Sequence, residues 1–293
     1  MTEPQLPRGN RRPPRARIAP EALAKARGGA REGLVWLGRT PESNASLGYR
    51  LVRLLARFVL FGVFRFRIRT EGQANLPRGG YLLVAAAHRG WMDPFVVMHA
   101  IPIEPRAWFL GSGPSTFSTW WRERLVHALG GLLPVWRGGH GIEQHVASAR
   151  AVVGNGGVFV QMPEGTVSGP PGRIGPFRTG WAVIALRTGA PIVPLAMAGT
   201  EELYIGRRLA SRVLPVTTAR ELAALSPEVP LPVAGSREEL DLARRMSEAL
   251  AAVLGPTVEA LQPWTVDPSG KRRWMRRRLT WLLLRPGRLD RDP

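Results

Sequence analysis

His88 and Asp93 stand five residues apart in the run His88-Arg89-Gly90-Trp91-Met92-Asp93. An imidazole within reach of a carboxylate makes a general base. The carboxylate on one ring nitrogen sets the tautomer and raises the basicity of the other. The run follows directly on an apolar stretch, Tyr81–Ala87, and Pro94 comes next. Proline is favoured at the first helical position, which makes Asp93 the expected N-cap and fixes its carboxylate at a helix start. The same six residues equally suit a plain helix cap beside a partly buried loop histidine. A second candidate, Pro163-Glu164-Gly165-Thr166, follows the strand-like Val158–Met162. A carboxylate there can accept hydrogen bonds from a polyol acceptor, and the glycine beside it lets a substrate approach the backbone. Taken alone, Pro-Glu-Gly-Thr is also an ordinary turn.

Strands must present these groups, and the chain supplies them. Short apolar runs bounded by turn residues suit buried strands at Tyr81–Ala87, Ala107–Leu110, Leu132–Trp136, Val158–Met162 and Ile192–Met197. Helical patterns cover Pro94–Ala100, Ser118–Leu129, Ile142–Val153 and Trp181–Thr188, with an extended stretch earlier at Phe64–Ile68. This alternation predicts an α/β fold, a central mostly parallel sheet covered by helices on both faces. Ligands in such sheets bind beyond the carboxyl ends of the strands. Both His88 and Glu164 fall at such ends. The proline-rich Ser226–Gly235 marks a boundary. Arg237–Leu254 then reads as an amphipathic helix with Ser236 as its N-cap and Gly255-Pro256 as its stop.

The 293 residues hold 41 Lys+Arg against 22 Asp+Glu, a net charge of +19, which calls for an anionic partner. No cysteine is present, excluding disulfides, thiolate nucleophiles and Cys-ligated zinc. His99, His127, His140 and His145 show no ligand spacing, so no metal is expected. Residues 1–45 read as a basic, Pro/Arg-rich arm without a signal peptide. The longest apolar-rich run, Leu54 to Phe64, is broken by Arg57 and is too short to span a bilayer. Over Leu47–Phe64, Arg50, Arg53 and Arg57 fall on one helical stripe, opposite Leu51, Leu54, Leu55, Phe58 and Val59. Such a helix suits a membrane surface, or else packs its apolar face on the core. Lys271–Arg285 sets basic residues beside Trp274, Trp281 and leucines, which again suits anionic lipid. The expected division is the arm 1–45, an α/β core over 46–215 and a helical, basic-tailed extension over 216–293. Amphipathic basic helices thus stand at both ends. A nucleic-acid-binding protein is the competing reading of the charge. The arginines concentrate at the two ends, however, and no nucleic-acid module is recognisable.

Four blocks in one order resemble the glycerolipid acyltransferase family, in particular bacterial 1-acylglycerol-3-phosphate (lysophosphatidic acid) acyltransferases. They are the H-x-x-x-x-D box from His88 to Asp93 and the apolar strand Leu132-Leu133-Pro134-Val135-Trp136-Arg137. Pro163-Glu164-Gly165-Thr166 follows, trailed by Gly175-Pro176-Phe177-Arg178-Thr179-Gly180, and then Pro191-Ile192-Val193-Pro194. The resemblance covers roughly residues 50 to 200. It implies acyl transfer from acyl-CoA or acyl-carrier protein to a glycerophosphate-type hydroxyl, with no other cofactor. His88 is then the general base, Asp93 orients it, and Glu164, Gly165 and Thr166 contact the acceptor. It also implies a peripheral place at the cytoplasmic face of the cell membrane. The family usually follows Glu-Gly-Thr with an arginine that contacts the acceptor phosphate, where this chain has Val167. Valine offers neither charge nor donors. Either Arg137, Arg173 or Arg178 takes that contact, or the acceptor differs: glycerol-3-phosphate, another lysophospholipid, or an amino- or glycolipid. Ala87 and Gly90 replace the common asparagine and serine of the first box.

Overall fold

The computed structural model describes residues 44–90, 92–112, 131–135, 141–165 and 172–266. Seven strands among them form one sheet, β1 (Arg67–Glu71), β2 (Tyr81–Ala86), β3 (Ala107–Ser112), β4 (Leu132–Val135), β5 (Val158–Gln161), β6 (Ile192–Ala198) and β7 (Arg208–Val213). Their order is β1-β7-β6-β2-β5-β3-β4. Within it β6 and β7 run antiparallel and the other neighbours are parallel. The parallel sheet expected from the alternation is present. The extended segment after the first helix begins at Arg67, three residues later than Phe64, because Phe64 still closes the preceding helix with its N–H on the Val59 carbonyl.

Side-chain alternation along β2 divides the interior in two. Leu82, Val84 and Ala86 face one core, and Tyr81, Leu83 and Ala85 face the other. The first core is covered by α3 (Gly141–Gly154), α4 (Gly180–Thr188) and α6 (Arg237–Thr265), while α2 (Asp93–Ala100) covers the second. So β2 sends its connection over one face of the sheet and its neighbour β5 sends its own over the opposite face. Adjacent parallel strands that diverge in this way leave a crevice beyond their carboxyl ends.

Helix α6 does not stop at Gly255-Pro256. It continues to Thr265 with Pro256 and Pro263 inside. Leu242, Met246, Leu250, Leu254, Val258 and Leu261 form one buried stripe at three- and four-residue spacing that runs past the proline. Each such side chain contributes about 1.5–3 kcal/mol when buried, and several outweigh the roughly 3 kcal/mol cost of an interior proline. The segment assigned to a C-terminal extension therefore shares the main core through this helix. Arg187 at the end of α4 fastens it: its Nε and Nη2 donate to Glu239 at 2.7 Å each, and Nη1 donates to Glu143 of α3. The two carboxylates hold the Arg187 guanidinium protonated well above its usual range, and that guanidinium in turn holds Glu239 below the usual carboxylate range. A short helix, α5 (Ala219–Leu222), is closed by a capping box between Thr218 and Glu221.

The amphipathic helix near the start forms as α1 (Leu47–Arg57), with Ser46 accepting from the Tyr49 N–H at its N-cap, and runs on as a wider turn over Phe58–Val63. Its orientation is the reverse of an ordinary surface helix. Arg53 turns inward and donates to the carbonyls of Ile101 (2.9 Å), Pro102 (2.8 Å) and Met98, the unsatisfied C-terminal end of α2. Arg50 pairs with Glu104. Leu51, Leu54, Leu55 and Phe58 are each more than half exposed. Arg50 and Arg53 of the arginine stripe are thus bonded to protein, while Arg57 and the leucine face look outward. A groove of about 320 Å³ between α1 and α2 is floored by Leu60, Phe61, Phe95 and Met98. Among the described residues no helix is long and apolar enough to cross a membrane. Residues 1–43 of the arm, the helical pattern Ser118–Leu129 and the basic segment 271–285 lie outside the described residues.

Candidate active site

Parallel pairing of β2 with β5, with Val84 opposite Gln161, carries both chains to the same edge of the sheet. His88 lies two residues beyond β2 and Glu164 three beyond β5, so both enter the crevice between the diverging connections. The loop after β2 folds back on the first residue of α2. His88 Nδ1 lies 2.7 Å from Asp93 Oδ2, with the His88 side chain 22% exposed and Asp93 fully buried. The same oxygen accepts the Arg89 N–H at 2.5 Å and the Gly90 N–H at 2.8 Å. Asp93 does not cap its own helix, as the Asp-Pro sequence suggested. It is already the first helical residue, and Met92 holds the cap position without a side-chain bond. The carboxylate is free to reach backward into the loop because the helix starts one residue earlier than expected. It still lies against the positive end of α2, which favours an anion.

Nδ1 donating to Asp93 leaves Nε2 as the nitrogen with a free lone pair. The His88 side chain is partly exposed, the buried acid lies behind it, and the pair stands at a crevice. This arrangement can take a proton from a hydroxyl brought to the rim.

Glu164 takes a different place from the one expected of it. The sequence put its carboxylate toward an acceptor, but it is only 1% exposed. Its Oε1 accepts the backbone N–H of His88 at 3.2 Å. Burial at the strand end turns the side chain into the protein, toward the loop it faces across β2 and β5. That burial pushes its carboxyl above the ordinary carboxylate range, and nearby Asp93 adds to the rise, while the N–H groups of Glu164 itself and His88 pull the other way. Gly165 has φ of +69°, a conformation natural to glycine, and its N–H closes the turn on the Met162 carbonyl at 3.0 Å. A Cβ on Gly165 would come within 2.8 Å of Arg178 Cδ, so the Arg178 side chain lies directly over this turn. The Arg178 N–H donates to the Pro163 carbonyl at 2.8 Å.

Of the candidate phosphate contacts, Arg178 is therefore gathered beside the Glu164 turn. Arg173 is exposed and lies 3.8 Å from Glu259 of α6, away from the His88 loop's hydrogen bonds. Arg137, Thr166 and Val167 lie outside the described residues. The groove between α1 and α2 is not lined by His88, Asp93 or Glu164. Among the described residues no cluster of His, Cys, Asp or Glu is arranged to hold a metal ion. Two contributions were not legible in the sequence: the hold of Glu164 on a main-chain N–H and the capping of α2 by Arg53. Both are side chain to backbone contacts, which leave no spacing signature. The glycine after Glu164 is the one local sign that a sharp turn follows the strand.

Comparison with known proteins finds likenesses of sequence and of fold. Residues 67–198 match the family model described as Acyltransferase. A 1-acyl-sn-glycerol-3-phosphate acyltransferase of Cocos nucifera is 31% identical over an alignment of 139 residues, which covers 44% of this chain and 41% of that protein. The chain thus spans less than half the length of this curated relative. The crystal structure of the 1-acyl-sn-glycerophosphate (LPA) acyltransferase PlsC from Thermotoga maritima superposes with a TM-score of 0.53 at 18% identity, over 82% of this chain and 92% of that one. The likeness is one of fold. The segment that matches the Acyltransferase family model, residues 67–198, contains His88, Asp93 and Glu164.

Proposed function

We propose that the protein moves a fatty acyl group from an acyl-CoA or acyl-carrier-protein thioester to a hydroxyl of a lysophosphatidate-type glycerolipid. The observation that carries this reading is the 2.7 Å contact between His88 and buried Asp93 at the crevice of an acyltransferase-family domain. The acceptor hydroxyl gives its proton to His88 Nε2 while its oxygen attacks the thioester carbonyl. The tetrahedral intermediate collapses, the C–S bond breaks, and the proton passes from Nε2 to the departing sulfur. An ester and a free thiol result. No acyl-enzyme is required, since the thioester arrives activated.

Assaying the purified protein with acyl-CoA and acyl-carrier-protein donors over a panel of acceptors tests this. Lysophosphatidate is expected to be the best acceptor, with Arg178 standing in for the arginine replaced by Val167. A second reading keeps the chemistry and changes the acceptor, and Val167 is the observation that favours it. Preference for glycerol-3-phosphate, another lysophospholipid or an amino- or glycolipid hydroxyl would select it. Absence of transfer to every acceptor would overturn both.

The reaction is further proposed to occur with the protein lying on a membrane. The outward Leu51, Leu54, Leu55 and Phe58 of α1 and the net charge of +19 support an anionic lipid surface as the partner of that face. Replacing Leu51, Leu55 and Phe58 together by serine is expected to weaken sedimentation with vesicles of mixed neutral and anionic phospholipid by about 100-fold or more, at about 1.5–3 kcal/mol per apolar side chain immersed. Circular dichroism should be unchanged, since these side chains do not line the core. Undiminished vesicle binding by the triple variant would remove α1 as the contact. Tight, salt-dependent binding to duplex DNA without vesicle affinity would favour a nucleic-acid partner instead.

A further inference from the structure

We infer that Glu164 is a positioning residue, acting on the reaction through the main chain of His88 and not through contact with the acceptor; this rests on the acyl-transfer reading above. Three observations support it. The carboxylate is 1% exposed, so an acceptor at the crevice rim does not reach it. Its Oε1 accepts the N–H of the very residue that carries the imidazole, at 3.2 Å. The turn that bears it is fixed twice by backbone bonds, Gly165 to Met162 at 3.0 Å and Arg178 to Pro163 at 2.8 Å, so the carboxylate is a rigid stop.

The two carboxylates divide one task. Asp93 fixes the His88 ring and the next two amides, while Glu164 fixes the point where the loop leaves β2. Without Glu164, the His88 N–H loses its acceptor and the start of the loop can shift relative to Asp93. A displacement of about 1 Å at a catalytic group costs on the order of 100-fold in rate. An oxygen acceptor is all the position requires, which a neutral carboxyl or an amide supplies as well as a carboxylate. Burial of Glu164 beside Asp93 favours the neutral form.

The test compares Glu164→Gln and Glu164→Ala in the full-length chain. Steady-state kinetics with varied acceptor are paired with amide hydrogen exchange of the segment 86–92. Glu164→Ala is expected to lower kcat about 100-fold with acceptor KM changed less than threefold, and to speed exchange in that segment. Glu164→Gln should recover most of kcat and restore slow exchange, because its carbonyl oxygen can accept the same N–H. A raised acceptor KM in both variants, with exchange unaltered, would overturn the inference and return Glu164 to acceptor binding. Should Glu164→Ala fail to fold, the Gln variant decides alone: near-normal kcat and exchange support positioning, and a large rise in KM refutes it. Failure of the acyl-transfer reading shows separately as lack of turnover by the unaltered protein. The exchange comparison still reports in that case whether Glu164 holds the loop.

Discussion

His88→Ala is expected to lower acyl transfer by about 100- to 10,000-fold, the range typical for loss of a positioned base. Fold and membrane contact should survive. The ring is partly exposed and forms no part of either core, and the bond from the residue-88 N–H to Glu164 belongs to the main chain and remains in place. The loss should appear in kcat, with the acceptor KM nearly constant, when both are measured with saturating thioester. Vesicle sedimentation on the same preparations separates catalysis from binding. Turnover near that of the unaltered protein would deny the imidazole its assigned role.

Asp93→Asn is expected to be as severe, about 1,000- to 10,000-fold in kcat, although it removes only a charge. An amide can present its nitrogen to His88 Nδ1 as a donor, which forces the proton to the other ring nitrogen and leaves the rim-facing position without a lone pair. Asparagine also offers a weaker acceptor to the Arg89 and Gly90 N–H groups now on Oδ2. The pH dependence distinguishes this from unfolding. A tautomer fault leaves rate depressed across the whole range, while circular dichroism and the thermal midpoint stay close to those of the parent. Retention of more than a tenth of the activity would show that the ring is oriented by something else.

The sequence pattern carried the site further than the outer parts of the fold. A proline after Asp93 and an apolar run before His88 were enough to place the pair at a strand end and a helix start. The error was one residue of helix boundary, which decides whether the carboxylate caps or reaches back. Strand β7 escaped notice because Arg208, Ser211 and Arg212 break its apolar run. The structure compensates them laterally, with Arg212 on Glu71 and Ser211 Oγ 3.0 Å from Thr70 of β1, and such cross-strand pairing is invisible along the chain. Helix α6 outran its predicted stop because local breaking by Pro256 is weak against a stripe that continues to Leu261. For α1 the periodicity gave the two faces correctly but not which faced inward. That depended on the open carbonyl end of α2 and on Glu104, roughly fifty residues distant.

The tight wiring of the β2–α2 loop also bears on how the proposed acyl transfer would handle charge. The carbonyl oxygen becomes an alkoxide, and such sites commonly quiet it with unoccupied main-chain N–H groups. Here the N–H groups of residues 88, 89, 90 and 165 are already committed to carboxylate or carbonyl oxygens. In the proposed transfer the nascent negative charge therefore finds no free donor among these four N–H groups as they stand, so its stabilisation would have to come from other groups.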